Sequence, residues 1–309
     1  MAITIALQDP TSPISSFFDE HLPHHEPFIR SWVKALRGRM PGNPMPAVKG
    51  PTLIGDAIEM RIGLDLAQTL PYAELAAIVA STAGTDAIST LGYQPSVEGD
   101  TDLTTWRKLP SRTDPDDVSD HDRQVAAARL CWQLACLESI VYPLSKTEFN
   151  RPEDLRAFWT YQRPEPSSDA IDVLLELWRR YAGPARTTLT SLGGPIVAKP
   201  SFANRFGEGD LLLGHTLLEV KSEQRPEDSL PRTLRQVLAY ALADADDELA
   251  IESVGVYHAY EGRLVHWPLS RVLQRLSATG HASLVELRAR FADVIATERQ
   301  LIHERRGQH

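Results

Sequence analysis

The sequence predicts a mixed α/β (α+β) protein, in which a large, mostly helical N-terminal region, residues 1–190, precedes a C-terminal unit, residues 191–309. Two observations support this fold class. Apolar residues recur at helical spacing in several stretches of the first region. After Gly193 the pattern changes to short apolar runs bounded by turn residues, which is typical of strands. We therefore expect a strand-containing core that follows a helical half.

The elements of the helical region can be predicted in order. Residues 1–24 are rich in Pro and Ser without clear periodicity, and we interpret them as a tail or surface strap. Residues 93–119 are dominated by Pro, Asp, Thr and Ser, which predicts a long loop. The predicted helices are residues 25–41, a helix from about Thr52 through Leu64, one from Tyr72 to about Ser81, His121 to Ser139, and Asp169 to Ala182.

The C-terminal unit is predicted to contain five strands. Glu261-Gly262 is a tight hairpin signal between the last two of them. The predicted order is strands at Pro195 to Phe202, Asp210 to Leu213 and Thr216 to Lys221, a helix at Pro231 to Asp244, strands at Ser253 to Tyr260 and Arg263 to Trp267, and helical residues from about Ser270 to Gln300. With the preceding helix included, the order is helix, three strands, helix, two strands, helices.

Composition and charge limit the classes of protein that fit. The chain has 309 residues, of which 42% are hydrophobic and 24% charged, and this is normal for a globular protein. It has neither a run of about 18 apolar residues nor a basic, secretory start, so we expect a cytoplasmic protein without a membrane segment. The net charge of −9 argues against a non-specific nucleic-acid coat, but it is compatible with an enzyme whose basic groups line one cleft.

The most informative segment is residues 209–221. Gly214-His215 can form a two-residue hairpin turn, because glycine accepts the positive φ that such turns need. In that register Leu213 faces Thr216. The segment therefore predicts two antiparallel strands whose pairing is fixed by the turn.

Two carboxylates and an amine are predicted to share one face of this hairpin. When residue pairs are counted outward from Leu213 and Thr216, the fourth pair is Asp210 with Glu219. Their opposed Cβ atoms are expected to lie about 5 Å apart. Side chains alternate along a strand, so Lys221 points to the same face as Glu219. The residues that fall on the other face, where they can be buried, are Leu211, Leu218 and Val220.

Such a pair of carboxylates predicts a cation. Opposed carboxylates repel each other, and in apolar surroundings the cost rises unless one is protonated or a cation lies between them. Mg²⁺ is commonly held by one or two carboxylates together with water and phosphate oxygens. We therefore interpret Asp210 and Glu219 as ligands of Mg²⁺ or Mn²⁺. Lys221 would orient or deprotonate water, or stabilise phosphate charge, and work as a general base would require that burial near the metal lowers its pKa.

An exposed ladder is the alternative interpretation, since an acidic residue two positions before a basic one is common. The flanking residues argue against it, because a solvent-facing edge does not need so many apolar side chains, whereas a strand buried on both faces does. These flanking residues are Leu211, Leu212, Leu213, Leu217, Leu218 and Val220.

An Asp, a hairpin and then Glu-x-Lys resemble the core of the PD-(D/E)XK nuclease superfamily. The next helix carries Gln236 and Tyr240, and a Gln-x-x-x-Tyr at this place is similar to the RecB-like branch. The resemblance covers about residues 190–270 and implies a restriction-endonuclease-like αβββαβ core, which agrees with the predicted order of elements. Gly209 stands where the superfamily has a proline before its Asp, here Asp210.

The resemblance also implies a set of metal ligands. These are Asp210, Glu219 and the backbone carbonyl of Val220. Many members of the RecB-like branch add an acidic residue from an upstream helix, and both Glu59 and Glu176 fit this pattern. We favour Glu59, because the residues around it resemble the N-terminal helix motif of several such nucleases.

The resemblance further implies phosphodiester hydrolysis with DNA as the expected substrate. The catalytic residues would be Asp210, Glu219, Lys221, Gln236 and Tyr240. Gln236 and Tyr240 would support Lys221 or the DNA, and the helical region would form one wall of a DNA cleft. A role in phage defence or mobile-element control is compatible with this interpretation by analogy alone.

The sequence leaves two other functions open. The first is a non-catalytic nucleic-acid-binding or scaffold protein on the same fold, which a broken Asp-Glu-Lys triad would indicate, although all three residues are present. The second is an enzyme that acts on RNA, or one that nicks DNA only with a protein partner. A homo-oligomer is also compatible with the sequence.

Overall fold

The chain forms two compact units in the computed structural model. The sheet unit consists of Met1–Met40 and Thr188–His309, and the helical unit consists of Pro41–Thr187. The sequence grouped everything up to residue 190 together, whereas the structure assigns the first 40 residues to the same unit as the C-terminal part. The residues that the structure describes are 2–37, 51–83, 85–97, 102–108, 120–144, 164–280 and 283–307.

Most of the described residues are helical, and each helix predicted in the first 190 residues is present. None of the described helices is long and apolar enough to cross a membrane. The helices are α1 (Ala2–Ala6), α2 (Pro13–His21), α3 (His25–Arg37), α4 (Pro51–Leu66), α5 (Ala73–Ala83), α6 (Asp86–Ser89), α7 (His121–Leu144), α8 (Ser168–Arg180), α9 (Arg186–Thr190), α10 (Leu230–Ala243), α11 (Leu269–Leu276) and α12 (Leu284–Gly307).

The strands confirm the mixed α/β class. They are β1 (Tyr93–Gln94), β2 (Arg107–Lys108), β3 (Ile196–Ala198), β4 (Ser201–Phe202), β5 (Gly207–Glu208), β6 (Leu211–Leu213), β7 (Thr216–Lys221), β8 (Ser253–His258) and β9 (Arg263–Pro268). Five of them form one sheet in the order β3-β6-β7-β8-β9. In this sheet β7 and β8 are parallel, and the other neighbouring pairs are antiparallel.

The core of the sheet unit lies between one face of this sheet and a layer of helices. Helix α10 packs on β7 and β8, and α3 and α11 pack on β9. The strand residues that enter this core are Leu212, Leu217, Val254 and Val256. Each fully buried side chain of this size contributes about 1.5–3 kcal/mol to stability. The packing of these side chains therefore determines the position of α10 on the sheet.

The first 24 residues are not a surface tail, as the sequence suggested, but form α1 and α2. Ser12 caps α2 by accepting a hydrogen bond from the Ser15 N–H at 3.0 Å. Pro13 occupies the first turn of α2, where its missing N–H costs nothing, although it obscured the helical pattern in the sequence. The side chains that these helices bury in the core are Ile3, Ile14, Phe17 and Phe18.

The predicted strand from Pro195 to Phe202 is divided in the structure. Strand β3 ends at Ala198, and β4 begins at Ser201 and pairs with β5 in a separate hairpin. Lys199 has a φ of 55°, and Pro200 has no N–H to donate to a neighbouring strand. These two residues therefore end the strand and redirect the chain.

A buried polar cluster stabilises the helical unit, in which α4 packs against α7. The carboxylate of Asp65 accepts hydrogen bonds from the Tyr181 hydroxyl at 2.5 Å, from Arg186 at 2.7 and 3.0 Å, and from Lys108 at 3.0 Å. The Asp65 side chain is 1% exposed. A carboxylate buried this deeply needs such partners, because an unpaired buried charge is strongly destabilising.

The predicted loop of residues 93–119 contains one short strand pair, β1 with β2. Residues 98–101 and 109–119 of this loop lie outside the described residues. Strands of two residues leave no periodic pattern, so the polar composition alone predicted a loop.

Arg288 on α12 ties this helix to the end of α10. Its guanidinium donates to the Ala241 carbonyl at 3.2 Å and to the carboxylates of Asp244 at 3.3 Å and Asp247 at 2.5 Å. The side chains of Arg288 and Asp244 are each 5% exposed. We predict that Arg288→Ala lowers the free energy of unfolding by about 3–5 kcal/mol, because it leaves a buried carboxylate without its cation.

Urea unfolding followed by circular dichroism checks this prediction. Arg290→Ala, which removes an exposed arginine from the same helix, is the matched control and should change the free energy of unfolding by no more than about 0.5 kcal/mol. Equal losses of stability in the two variants would show that the buried contacts of Arg288 contribute nothing.

Candidate active site

The β6–β7 hairpin has the register predicted from the sequence. Leu213 pairs with Thr216 around the turn at Gly214-His215. Gly214 has a φ of 56°, and a Cβ on it would lie 2.8 Å from a neighbouring backbone carbonyl oxygen. Glycine is therefore needed at this turn, and the turn fixes which residues of the two strands face each other.

Asp210 and Glu219 lie one step beyond the last pair of this ladder, Leu211 with Leu218. Asp210 is 8% exposed and Glu219 is fully buried. Leu211, Leu218 and Val220 are also buried, as the alternation of the strands predicted. The hairpin therefore places two carboxylates close together within an apolar surround.

The backbone of β7 fixes Asp210. The Val220 N–H donates to Oδ2 of Asp210 at 2.6 Å. Within a strand the N–H and C=O of one residue point to the same side, so the Val220 carbonyl also faces Asp210. The next carbonyl, that of Lys221, points to the opposite side and accepts from the Ala259 N–H at 2.8 Å. A carboxylate and a backbone carbonyl are thus directed to one place.

Glu219 uses a single carboxylate oxygen for its hydrogen bonds. Oε2 accepts from Lys221 Nζ at 2.8 Å and from Gln236 Nε2 at 2.8 Å. Oε1 is buried and has no hydrogen-bond partner among the residues that the structure describes. A buried carboxylate oxygen without a partner costs free energy, so a cation or a hydrogen-bond donor at this position would be stabilising.

Helix α10 brings Gln236 and Tyr240 to the same place. They lie four residues apart and therefore on one face of the helix. The Gln236 amide donates to the Tyr240 hydroxyl at 3.3 Å as well as to Glu219. The Tyr240 ring stacks on Phe202, with centroids 5.5 Å apart and an interplanar angle of 4°. The packing of α10 on the sheet thus determines the position of the Glu219 carboxylate.

Burial makes the Glu219 carboxyl group a weaker acid than an exposed glutamic acid side chain. Burial and then the charge of Asp210 raise the pKa of Glu219 from 4.5 to about 7, against the opposing effect of Lys221. The repulsion between two opposed carboxylates, expected from the sequence, is thus one of the causes of this shift. Near neutral pH the Glu219 carboxyl group can either hold or release a proton.

Lys221 is held as an ammonium, contrary to the lowered pKa that a general base would require. Burial acts to lower the pKa of Lys221, but the charges of Glu219 and Asp210 outweigh burial and raise it above its ordinary value. Sequence alone does not give this balance, which depends on two carboxylates lying close to the amine. In this arrangement Lys221 is a hydrogen-bond donor and a positive charge.

His258 lies beside Lys221 and is contacted by Trp32, and no motif in the sequence singled out either residue. His258 pairs with Lys221 in the parallel β7–β8 ladder, so both side chains leave the sheet on the same face. The Trp32 indole N–H donates to Nε2 of His258 at 3.1 Å. Burial and then the charge of Lys221 lower the pKa of His258 to about 3, so its imidazole is neutral.

The two candidate upstream acids lie in the helical unit. Glu59 is a buried residue of α4. Glu176 on α8 accepts hydrogen bonds from Arg179 at 2.7 Å and from Arg180 at 2.8 Å. These ion pairs weaken the case for Glu176 as a metal ligand, and Glu59 as the upstream ligand stays a prediction.

The described ranges of the chain contain no group of three or more His, Cys, Asp or Glu side chains placed to hold a metal ion. Asp210 and Glu219 supply two carboxylates, and the Val220 carbonyl faces the same place. One or two carboxylates are enough for Mg²⁺ where water or phosphate oxygens complete its coordination. The chemistry of these donors therefore suits a hard divalent cation.

Comparisons with protein-family models, with curated proteins and with solved structures find no match to this chain. The mixed α/β class is shown by the sheet and helices described above. The resemblance to PD-(D/E)XK nucleases, which rests on the motif residues between positions 190 and 270, therefore stays a prediction from the sequence.

The raised pKa of Glu219 predicts a pH-dependent stability in the metal-free protein. Between pH 4.5 and about 7, folded Glu219 holds a proton that the unfolded chain has released, so the free energy of unfolding falls as the pH rises. Glu219→Gln removes this contribution because glutamine does not titrate. From pH 5 to pH 8 in EDTA, wild type should lose up to about 3 kcal/mol relative to the variant.

Urea unfolding at the two pH values measures this difference. Glu227→Gln changes an exposed glutamate of a short 3-10 turn and provides the matched control. Its difference from wild type should not vary with pH. The assignment of the titration to Glu219 would be refuted by a wild-type-to-Glu219→Gln difference that is the same at both pH values.

Proposed function

We propose that this chain is a metal-dependent nuclease of the PD-(D/E)XK superfamily, of the RecB-like branch, that hydrolyses phosphodiester bonds in DNA. The arrangement at Glu219 carries the proposal. One of its oxygens is held by Lys221 and Gln236, while the other is buried without a described partner near Asp210. The Asp, Glu and Lys of the hairpin and the Gln of the following helix occur in the same order as in the motif of that superfamily.

The residues at this site fit Mg²⁺ or Mn²⁺. Asp210, Glu219 through Oε1, and the Val220 carbonyl would hold the cation. A positive charge here would relieve the repulsion that contributes to the raised pKa of Glu219. When bound, the cation supplies Lewis acidity toward a phosphate oxygen and makes a water molecule more acidic.

Lys221 acts on the charge that develops at the phosphate. In hydrolysis the water oxygen bonds to phosphorus, the bond to the leaving oxygen breaks, the water loses a proton and the leaving oxygen gains one. The Lys221 ammonium, which keeps its proton, donates hydrogen bonds and stabilises negative charge on a phosphate oxygen. Its short contact with Glu219 fixes where that charge lies.

Gln236 and Tyr240 orient the carboxylate. Both N–H groups of the Gln236 amide are used, one on Glu219 and one on the Tyr240 hydroxyl. Burial and then the charge of Glu219 raise the pKa of Tyr240, so its hydroxyl keeps its proton. The pair therefore holds Oε2 of Glu219 in place, and Oε1 would be the oxygen available to hold the cation.

The test of this proposal is a cleavage assay. Single-stranded DNA, duplex DNA and RNA are incubated with the protein in Mg²⁺, Mn²⁺ or EDTA. We expect cleavage of DNA with either metal and none in EDTA. Lys221→Ala should lower the rate about 100-fold or more, because removal of one positioned donor from a charged transition state has effects of this size.

Lys34→Ala is the matched control, since it removes an exposed lysine of α3, and it should retain wild-type activity. Equal cleavage by wild type and Lys221→Ala would place the active site elsewhere. If wild type cleaves no substrate with any metal, the proposal fails, and nucleic-acid binding without catalysis or activation by a protein partner becomes the better interpretation.

A further inference from the structure

A hydrogen-bond chain links the N-terminal helix to the candidate active site. Oγ1 of Thr4, on α1, lies 2.9 Å from the Tyr240 hydroxyl oxygen. That hydroxyl accepts from Gln236, and Gln236 in turn donates to Glu219. Glu219 also holds Lys221. Thr4 is thus the last member of a chain of side chains that ends at the buried carboxylate.

The direction of these hydrogen bonds gives Thr4 a specific role. The Gln236 amide nitrogen can only donate, so the Tyr240 hydroxyl accepts from it and directs its own hydrogen elsewhere. The Thr4 hydroxyl lies where it can accept that hydrogen. Without this acceptor the Tyr240 hydroxyl, on a residue that is 1% exposed, would keep a hydrogen with no acceptor recorded among the described residues.

The position of Thr4 is itself fixed by its surroundings. The Ile3 N–H donates to the Phe206 carbonyl at 3.2 Å, and the Ile3 side chain is fully buried. Gly207 permits this approach, because a Cβ there would lie 2.7 Å from Cδ1 of Ile3 and 3.0 Å from Cδ1 of Tyr240. At the end of α1, the Ser12 hydroxyl donates to the Ala6 carbonyl at 2.7 Å. Helix α1 is therefore anchored at both of its ends.

We propose that Thr4 is a positioning residue of the active site, which holds the Tyr240 hydroxyl so that Gln236 can orient Glu219. This inference rests on the proposed nuclease function for its catalytic consequence. Thr4 touches neither substrate nor metal in this proposal, and it acts only through Tyr240. Helix α1 then contributes a residue to a site whose next residue in the sequence, Asp210, lies 206 positions after Thr4.

The test compares Thr4→Val, which keeps the shape of the side chain without its hydroxyl, with Thr4→Ser, which keeps a hydroxyl. We expect Thr4→Val to lower kcat about tenfold with KM unchanged, which corresponds to the loss of one partly buried hydrogen bond. Thr4→Ser should recover most of this loss. Thr297→Val, at an exposed position of α12, is the matched control and should behave as wild type.

A double-mutant cycle with Tyr240→Phe separates positioning from a general loss of structure. In the Tyr240→Phe background the hydroxyl is absent, so Thr4→Val should lower kcat no further. The melting temperature should show the same coupling, with the double variant no less stable than the less stable single variant. Additive effects of the two substitutions on kcat, or an unchanged kcat in Thr4→Val, would overturn the proposal.

The cleavage assay tests the nuclease function, and the melting-temperature cycle tests the Thr4–Tyr240 contact. Absence of cleavage by wild type refutes the nuclease function and with it the catalytic consequence of Thr4. The melting-temperature cycle does not depend on activity, and additive effects there would refute the Thr4–Tyr240 contact on its own.

Discussion

Asp210 and Glu219 face each other at the end of an otherwise apolar hairpin, and the neighbouring groups of the sheet unit are arranged around this pair. Two buried carboxylates repel, and the raised pKa of Glu219 records part of that cost. The fold offsets the cost with a backbone N–H from Val220, an ammonium from Lys221 and an amide from Gln236. One oxygen of Glu219 is left without a described partner, and a cation or a hydrogen-bond donor beside it would be stabilising.

The groups that support this pair come from distant parts of the chain. Helix α10 supplies Gln236 and Tyr240, α1 supplies Thr4, and Trp32 of α3 holds His258 beside Lys221. Because α1, α2 and α3 all contribute to the core of the sheet unit, these three helices belong to the structure of the site. The position of the Glu219 carboxylate therefore depends on packing throughout the sheet unit, and substitutions distant in sequence can change it.

The sequence predicts the local features of this site and not the long-range ones. The register of β6 and β7 follows from a glycine turn and from strand alternation, which are properties of adjacent residues. The contact of Thr4 with Tyr240 joins residues 236 positions apart, and no local pattern indicates it. The break between β3 and β4 depends on the positive φ of Lys199. The raised pKa of Lys221 depends on a balance between burial and nearby charge that requires three-dimensional distances.

Binding of a divalent cation by the Asp210–Glu219 pair can be measured by calorimetric titration of the metal-free protein with Mn²⁺ at pH 8. Asp210→Asn keeps the shape of the side chain and removes its charge, and Asp228→Asn makes the same change at an exposed position. We expect wild type and Asp228→Asn to bind Mn²⁺ alike, and Asp210→Asn to bind at least about tenfold more weakly, a loss of about 1.4 kcal/mol or more. No binding by wild type, or equal binding by Asp210→Asn and wild type, would show that this pair does not hold the cation.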